Sequence, residues 1–455
     1  MPLPPQRQPP WSQPLSTRPR TFVHPLRTAA FAVLFNAGIL LTFALLILLL
    51  PLRLVRHTRP VYGRIGKAAF GSLLVFVTQH FAPTEVVVSA GEGVDRKEWA
   101  ELDEQGELKA LRLPEAGVWI ANHSTLVDWL FLWSFSYLSG HHSALYIALK
   151  SSLRRIPIIG WSCSLFNFLF LDRKWESDKR NFRHQLDRIS RTTLDGGAEE
   201  KAAVLIFPEG TITTENTRGI SARYAEKAGL KDYTHLLIPR STGLFYALRH
   251  LALTLPHLSL VDLTLGYPIP RSASLFHSDY YDIPSVLLRG VPPPELHIHI
   301  RTFPVSSIPL GDSDRLRKDP EADCTPQERA AFEKWLEERW REKDALLERY
   351  RREGSFVPAA PKKSRKKPAE DSSDDEEDDR RPGEFFWRPH LQGGAVELVS
   401  AFSPILAFVI GAVGWWYRGV FFGGGSSAAG EAVATKACGC GKMAAQAAGR
   451  ATAEL

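Results

Sequence analysis

The chain has 455 residues, 44% hydrophobic and 23% charged, with a formal net charge of +6. That length and apolar content allow one sizeable folded domain with appendages and exclude a wholly disordered chain. The basic residues cluster beside apolar segments, which suits anionic headgroups and phosphorylated substrates and argues against a nucleic-acid partner.

Residues 1–27 open rich in proline and arginine with no apolar period, so a disordered arm is expected. No charged residue occurs between Arg27 and Arg53, a run able to span a hydrocarbon core that needs ~20 helical residues. A second uncharged run, Ala68 to Thr84, contains Gln79, His80 and Pro83 and fits a tilted, re-entrant or interfacial helix instead of a full span. Residues 28–84 are thus expected to hold N-terminal membrane segments. Arg53, Arg56, Arg59, Arg64 and Lys67 between the runs outnumber Arg18, Arg20 and Arg27 before them, a positive-inside bias for the intervening side. If the second run does not cross, the domain that follows is cytosolic.

From 85 to 310 the fold class expected is α/β, because short β-rich runs alternate with helical stretches. The runs are Val86–Val88, Val118–Ala121, Val204–Phe207, Leu236–Ile238, Val261–Leu265 and Leu296–Arg301. Residues 311–355 are expected to add a helix to this unit, with Phe332, Trp335, Leu336 and Trp340 at helical spacing facing its core. Residues 356–394, with a basic stretch from Lys362 to Lys367 and an acidic run from Glu370 to Asp379, have the composition of a solvated linker. Ser372 and Ser373 in it are phosphorylation candidates or plain linker serines. Residues 395–422 are expected to hold a C-terminal transmembrane segment, since Leu398 to Tyr417 is uncharged and ends in Trp415, Trp416, Tyr417 and Arg418. Residues 423–455 form a Gly/Ala-rich tail. Of the four cysteines, at 163, 324, 438 and 440, the last two form a lone C-x-C there, open to lipidation or oxidation; none suggests a disulfide framework or a metal site, and a reducing compartment is the simpler reading.

Chemistry concentrates where the run ending at Ala121 meets Asn122-His123-Ser124-Thr125-Leu126-Val127-Asp128-Trp129. With Thr125 as N-cap and Asp128 as its reciprocal third residue, the first helical turn brings a carboxylate to the imidazole. A carboxylate-oriented histidine can act as a general base, although an isolated His-x4-Asp equally fits a helix cap beside a satisfied loop histidine. The segment is not isolated: Val204-Leu205-Ile206-Phe207-Pro208-Glu209-Gly210-Thr211 also ends an apolar strand in a turn that presents polar groups.

Together with FLDRKWE (Phe170 to Glu176) and IPRSTG (Ile238 to Gly243), these segments resemble the four ordered motifs of the glycerolipid acyltransferase family, the lysophosphatidic acid acyltransferases. The stretches LYIALKSSLRRIPIIGW, FPEGTITTENT and LHIHIRTFPV look like the branch of lysophosphatidate, lysophosphatidylinositol and lysocardiolipin acyltransferases. The resemblance runs from about residue 28 to 355. Ser124 stands where many members carry a larger polar residue, and Ile238 and Ser241 replace the usual His and Thr of the fourth motif.

The resemblance implies acyl transfer from acyl-CoA to a lysophospholipid hydroxyl, without cofactor or metal, with acyl-CoA as co-substrate and membrane lipids as surroundings. His123 would be the base and Asp128 its orienting partner. Arg173, preferred over Lys174, and Arg240 would bind the acceptor phosphate, each also open to a structural ion pair. Glu209, Gly210 and Thr211 would complete that site, Gly210 by allowing close backbone approach and Glu209 by meeting acceptor hydroxyls or orienting an arginine. Pro239 and Gly243 would support acyl-CoA binding or catalysis. The acceptor expected first is 1-acylglycerol-3-phosphate, with lysophosphatidylinositol as its rival, at the cytosolic face of the endoplasmic reticulum. A non-catalytic membrane scaffold is the alternative of another class. His297 and His299 share one strand face and are read as satisfied histidines, not ligands.

Overall fold

A computed structural model describes residues 8–18, 25–94, 98–172, 175–197, 200–255, 257–271, 275–312, 315, 324–358 and 381–422. An eight-stranded mixed sheet runs in the order β10-β1-β9-β8-β4-β7-β5-β6. Its strands are β1 (Glu85–Ala90), β4 (Ala116–Ala121), β5 (Leu145–Lys150), β6 (Leu169–Leu171), β7 (Ala202–Ile206), β8 (Ser259–Gly266), β9 (Glu295–Pro304) and β10 (Glu384–Trp387); β2 (Ala100–Leu102) and β3 (Leu108–Leu111) form a separate hairpin.

The strands from β8 through β4, β7 and β5 to β6 are parallel, while β9 is antiparallel to β8 and β10 antiparallel to β1. Near-continuous apolar runs are what a sheet covered on both faces requires. On β4, Trp119 and Ala121 enter one core, while Val118 and Ile120 enter the other. Helices α2 (Arg59–Phe81) and α3 (Asp128–Leu138) contribute to the first core; α5 (Trp175–Gly196), α7 (Ser241–Ala252) and α8 (Pro326–Glu353) contribute to the second. The expected α/β class is therefore found, and Phe332, Leu336 and Trp340 lie in the core as read from their spacing.

Several expectations are corrected. Leu236–Ile238 is not a strand; it is an extended loop that leads into α7. The expected disordered arm is ordered at residues 8–18: Leu15 N donates to Asp279 O at 2.7 Å, and the buried Arg18 donates to Gln13 O at 2.6 Å and to Ser285 Oγ. Ser285 Oγ, Gln13 O and Trp11 O accept from its two terminal nitrogens, which is how a basic residue of the arm comes to be buried.

The linker read over 356–394 is folded at both ends. Phe356 is in the core, Trp387 is 2% exposed, and β10 pairs with β1 from Val86↔Trp387 to Ser89↔Glu384. Glu384-Phe385-Phe386-Trp387 is a short aromatic strand that the surrounding charge runs conceal. Those runs, with Ser372 and Ser373, lie outside the described residues, as do Cys438 and Cys440.

Of the two N-terminal runs only α1 (Pro25–Leu48) is long and apolar enough to cross a membrane. The second run lies in α2, which is packed into the domain: Tyr62, Lys67, Leu74 and Val77 are each no more than 1% exposed. The C-terminal run is divided at Phe402 into α9 (Gly394–Ala401) and α10 (Ser403–Phe422), and it qualifies as a span only if 394–415 is one broken span. Glu397 of α9 accepts from Tyr137 Oη at 2.7 Å and from Ser72 Oγ at 3.2 Å, which ties this helix to α3 and α2.

Trp387→Ala is expected to destabilise the domain by about 3–5 kcal/mol through the cavity it leaves. A denaturation midpoint equal to wild type would show that β10 is dispensable to the fold.

Candidate functional site

His123 and Asp128 sit where β4 ends and α3 begins. The strand carries the chain to the sheet's edge, and Asn122 fixes the exit by pairing with β8: its side chain donates to Leu265 O at 3.0 Å and accepts from Leu265 N at 2.8 Å. The expected cap is half right. Helix α3 begins at Asp128 after Val127, and Thr125 Oγ1 accepts from Val127 N at 3.2 Å instead of capping the third residue. The reciprocal bond is present, with Thr125 N donating to Asp128 Oδ2 at 3.0 Å.

Asp128 is fully buried and accepts five hydrogen bonds. Oδ2 receives His123 Nδ1 at 2.9 Å, Ser124 N at 2.7 Å and Thr125 N; Oδ1 receives Thr125 Oγ1 at 2.8 Å and Tyr267 Oη at 2.8 Å. An acceptor-only carboxylate holds the Nδ1 proton on His123, which leaves Nε2 as the ring's basic nitrogen. The imidazole stacks on Phe207 at 4.2 Å between centroids, and its side chain keeps 20% exposure. The arrangement can orient a neutral imidazole and stabilise it when protonated.

Glu209 braces the same histidine from its backbone side. Its Oε1 accepts from His123 N at 3.2 Å, and its Oε2 accepts from Thr213 Oγ1 at 3.0 Å and Leu237 N at 3.3 Å. Both of its oxygens are thus engaged within the protein, and it is only 3% exposed. Burial pushes its carboxyl up to about 7 against the opposing pull of those three donors. Thr213 N completes the brace by donating to His123 O at 2.8 Å.

Gly210 has φ +73°, a left-handed conformation that favours glycine, and a Cβ there would lie 3.2 Å from Arg240 Nε. Arg240 N donates to Pro208 O at 2.8 Å, so the third and fourth motifs are joined at this point. The Arg240 side chain is exposed ahead of α7. Thr211 is half-buried in the turn after Gly210. Pro239 and Gly243 are half-buried on either side of Arg240, and neither bonds to the His123–Asp128 pair. Arg173 and Lys174 lie outside the described residues.

Sequence reasoning missed Tyr267, Asn122 and Thr213. Tyr267 is the important omission: it is fully buried, lies 139 residues from its partner Asp128, and is pushed well above the usual phenol range by burial and by that carboxylate. It also lines a cavity of ≈150 Å³ with His235, His277 and Arg351. His297 Nε2 is 3.1 Å from Glu295 Oε2 and His299 Nδ1 is 2.9 Å from Ser89 Oγ. Among the described residues no three His, Cys, Asp or Glu side chains gather as a metal site.

The acyltransferase family model matches residues 106–269, which include His123, Asp128, Glu209 and Arg240, and the acyltransferase C-terminus model matches residues 322–373. An uncharacterized acyltransferase of Schizosaccharomyces pombe is 33% identical over 302 residues, covering 66% of this chain and 77% of the relative. The chain belongs to the acyltransferase family. The 2-acyl-1-lysophosphatidylinositol acyltransferase of Saccharomyces cerevisiae is 32% identical over 318 residues, covering 64% of this acyltransferase and 75% of the yeast protein. Lysocardiolipin acyltransferase 1 of Danio rerio is 35% identical over 242 residues, covering 52% of this chain and 53% of the fish protein.

The raised Glu209 carboxyl has a consequence for stability. The folded state holds the proton more tightly than the unfolded chain, so its contribution is complete below the unfolded value of 4.5 and is lost as pH rises through about 7. That interval corresponds to about 3 kcal/mol. Comparing unfolding free energies of wild type and Glu209→Gln across pH 4–8 should show this downward slope in the wild type alone; parallel curves would place the ionisation elsewhere.

Proposed function

We propose that this acyltransferase moves an acyl group from acyl-CoA to the free hydroxyl of a lysophospholipid. The observation that carries the reading is the His123 imidazole, held by the buried Asp128 at 2.9 Å with its other face partly open to solvent. His123 Nε2 removes the hydroxyl proton as the acceptor oxygen attacks the thioester carbonyl. The tetrahedral intermediate then collapses, the carbon–sulfur bond breaks, and the imidazolium proton is available to the departing CoA thiolate. No covalent acyl-enzyme is required.

Arg240, beside the Gly210 turn, is proposed to meet the acceptor phosphate, together with Arg173. Gly210 gives that guanidinium room, since any side chain there would press on it. Glu209 is proposed to act through His123 by fixing its backbone, and Thr211, Pro239 and Gly243 to shape the turn and the start of α7 around the substrates.

For the acceptor, we favour lysophosphatidylinositol ahead of 1-acylglycerol-3-phosphate; the name of the yeast relative, 2-acyl-1-lysophosphatidylinositol acyltransferase, supports that order. This reverses the order expected from motifs alone, because the motifs read the phosphate that both acceptors share. The same proposal places the enzyme at the endoplasmic reticulum membrane with its catalytic domain cytosolic. The scaffold alternative is set aside by membership of an enzyme family.

Microsomes holding the protein, given labelled oleoyl-CoA and a panel of lysophospholipids, are expected to acylate lysophosphatidylinositol most rapidly. His123→Ala should lower the rate about 10²- to 10⁴-fold without loss of folding; undiminished transfer would remove the histidine from the mechanism. Tyr267→Phe should leave KM for acyl-CoA unchanged, reduce kcat, and move the acidic limb of the kcat/KM profile to higher pH. Removing a donor makes Asp128 a stronger acceptor toward protonated His123. An unchanged profile would restrict Tyr267 to packing.

A further inference from the structure

Beyond the site, the most unusual surface is the segment that links β5 to β6. After Lys150 the chain makes a short 3₁₀ turn, Ser151–Arg155, then helix α4 (Ile159–Leu165), before entering the second motif at Phe170. Ile156 is 40% exposed, Ile159 45% and Trp161 51%. Soluble surfaces do carry single exposed apolar residues, but a contiguous apolar group calls for a partner.

The backbone is strained in presenting them. Ile158 has φ 64° and ψ −59°, and Ile159 N closes a three-residue turn on Pro157 O at 2.7 Å. A β-branched residue at positive φ is an outlier that persists only where its surroundings impose it. Here Gly160 is pinned: a Cβ on it would lie 2.4 Å from Leu153 O. The turn therefore projects Ile156 and Ile159 outward from a fixed base.

Two neighbours identify what covers this surface. Trp161 stands 6.0 Å from Phe43 of α1, so the apolar group continues the exposed face of the one helix apolar enough to enter a membrane, where Val33 and Ile47 are also exposed. Beside it lies a cluster of arginines. Arg188 of α5 has its guanidinium lowered by partial burial and by the nearby charges of Arg53, Arg191 and Arg154. Arg155 is exposed next to Arg154. Like charges gathered at an apolar edge fit an anionic lipid leaflet and do not fit a second copy bearing the same charges.

We infer that residues 151–165 are a monotopic membrane contact on an anionic leaflet, with Ile156, Ile159 and Trp161 below the headgroups and Arg154 and Arg155 among the lipid phosphates. This rests on the proposed lysophospholipid reaction for its purpose. Ser151 Oγ donates to Asp172 and Arg154 lies over the Phe170 ring at 5.8 Å, so the wedge is joined to the second motif and holds it at headgroup level.

The test reads depth, not catalysis, so it stands apart from the success of the proposed reaction. The full chain with its own cysteines replaced and Trp161→Cys labelled with an environment-sensitive fluorophore is bound to phosphatidylcholine vesicles containing phosphatidylinositol. Quenching by nitroxide on the acyl chains, with protection from aqueous iodide, is expected. Quenching by iodide would overturn the inference; so would protection from both, with cross-linking between two chains, which would make the face a dimer contact. Arg154→Ala and Arg155→Ala should each reduce the preference for phosphatidylinositol vesicles over pure phosphatidylcholine by roughly fivefold, and an unchanged preference would remove the arginines from the contact. Ile159→Asp with Trp161→Asp should slow acylation of vesicle-borne acceptor while sparing a short-chain monomeric one; equal loss on both would make the segment merely structural.

Discussion

The buried carboxylate of Asp128 is the constraint around which this site is organised. A charge taken wholly out of water is tolerated only when its lone pairs are filled, and here five donors fill them. Four come from residues 123–125, immediately before α3, and therefore fix the chain's exit from β4. The fifth comes from Tyr267, just beyond β8. The tyrosine can reach only because β8 runs parallel beside β4, paired from Gly117↔Ser259 to Ala121↔Leu263. The Asn122 clamp on Leu265 extends that pairing past the end of β4. Sheet order and the geometry of the His123–Asp128 pair are thus one requirement.

The two carboxylates around His123 differ in what burial does to them. Asp128 bonds the ring and has five donors on its two oxygens. Glu209 bonds the backbone, has three donors, and burial raises it to about 7. One carboxylate thereby holds the imidazole ring, while the other holds the loop that carries it. Environments that divide two acids in this way commonly divide their roles. The buried Lys343 of α8 extends the polar interior: it donates to Leu263 O at 2.6 Å and pairs with Asp262 at 2.5 Å, joining the C-terminal helix to β8.

Local chemistry was legible in the sequence wherever the partners are close in the chain. The His123–Asp128 pair spans five residues, and strand β7 with its Pro208-Glu209-Gly210 turn is continuous, so pattern alone located both. Tyr267 was not legible, because its bond to Asp128 exists only through the pairing of β4 with β8. Glu209 was placed in the site, but its bonds to His123 N and Leu237 N were not legible, since motif position says nothing of which way a carboxylate turns. Strand β10 was hidden for another reason: four aromatic-rich residues between charge runs are too few to show a period, and their place is decided by the open edge of β1. Arg18 was read as part of a solvated arm because its acceptor outside the arm, the Ser285 hydroxyl, lies 267 residues away, and the Trp11 and Gln13 carbonyls accept only once the arm has folded back on itself.

The two N-terminal helices show why composition separates membrane from core so poorly. Both runs lack charge, yet the second is preceded within α2 by Lys67 on the domain's interior, its Nζ 3.3 Å from the Tyr146 ring centroid and its pKa driven well below the usual lysine range by burial. A lysine buried against an aromatic face is dehydrated by protein, so the apolar residues that follow it are core residues of the same kind. Helix α1 instead buries one side, including Phe31, Leu45 and Leu46, and leaves Val33, Leu40 and Ile47 open. It is held at its N-terminal end by Arg27, which donates to His80 O at 3.1 Å, and near its other end by the Phe43–Trp161 contact. A helix fastened to one domain near both ends cannot cross a bilayer independently of it. Its open side and the exposed Trp161 form one apolar face, which is why the proposed leaflet contact would have to cover both.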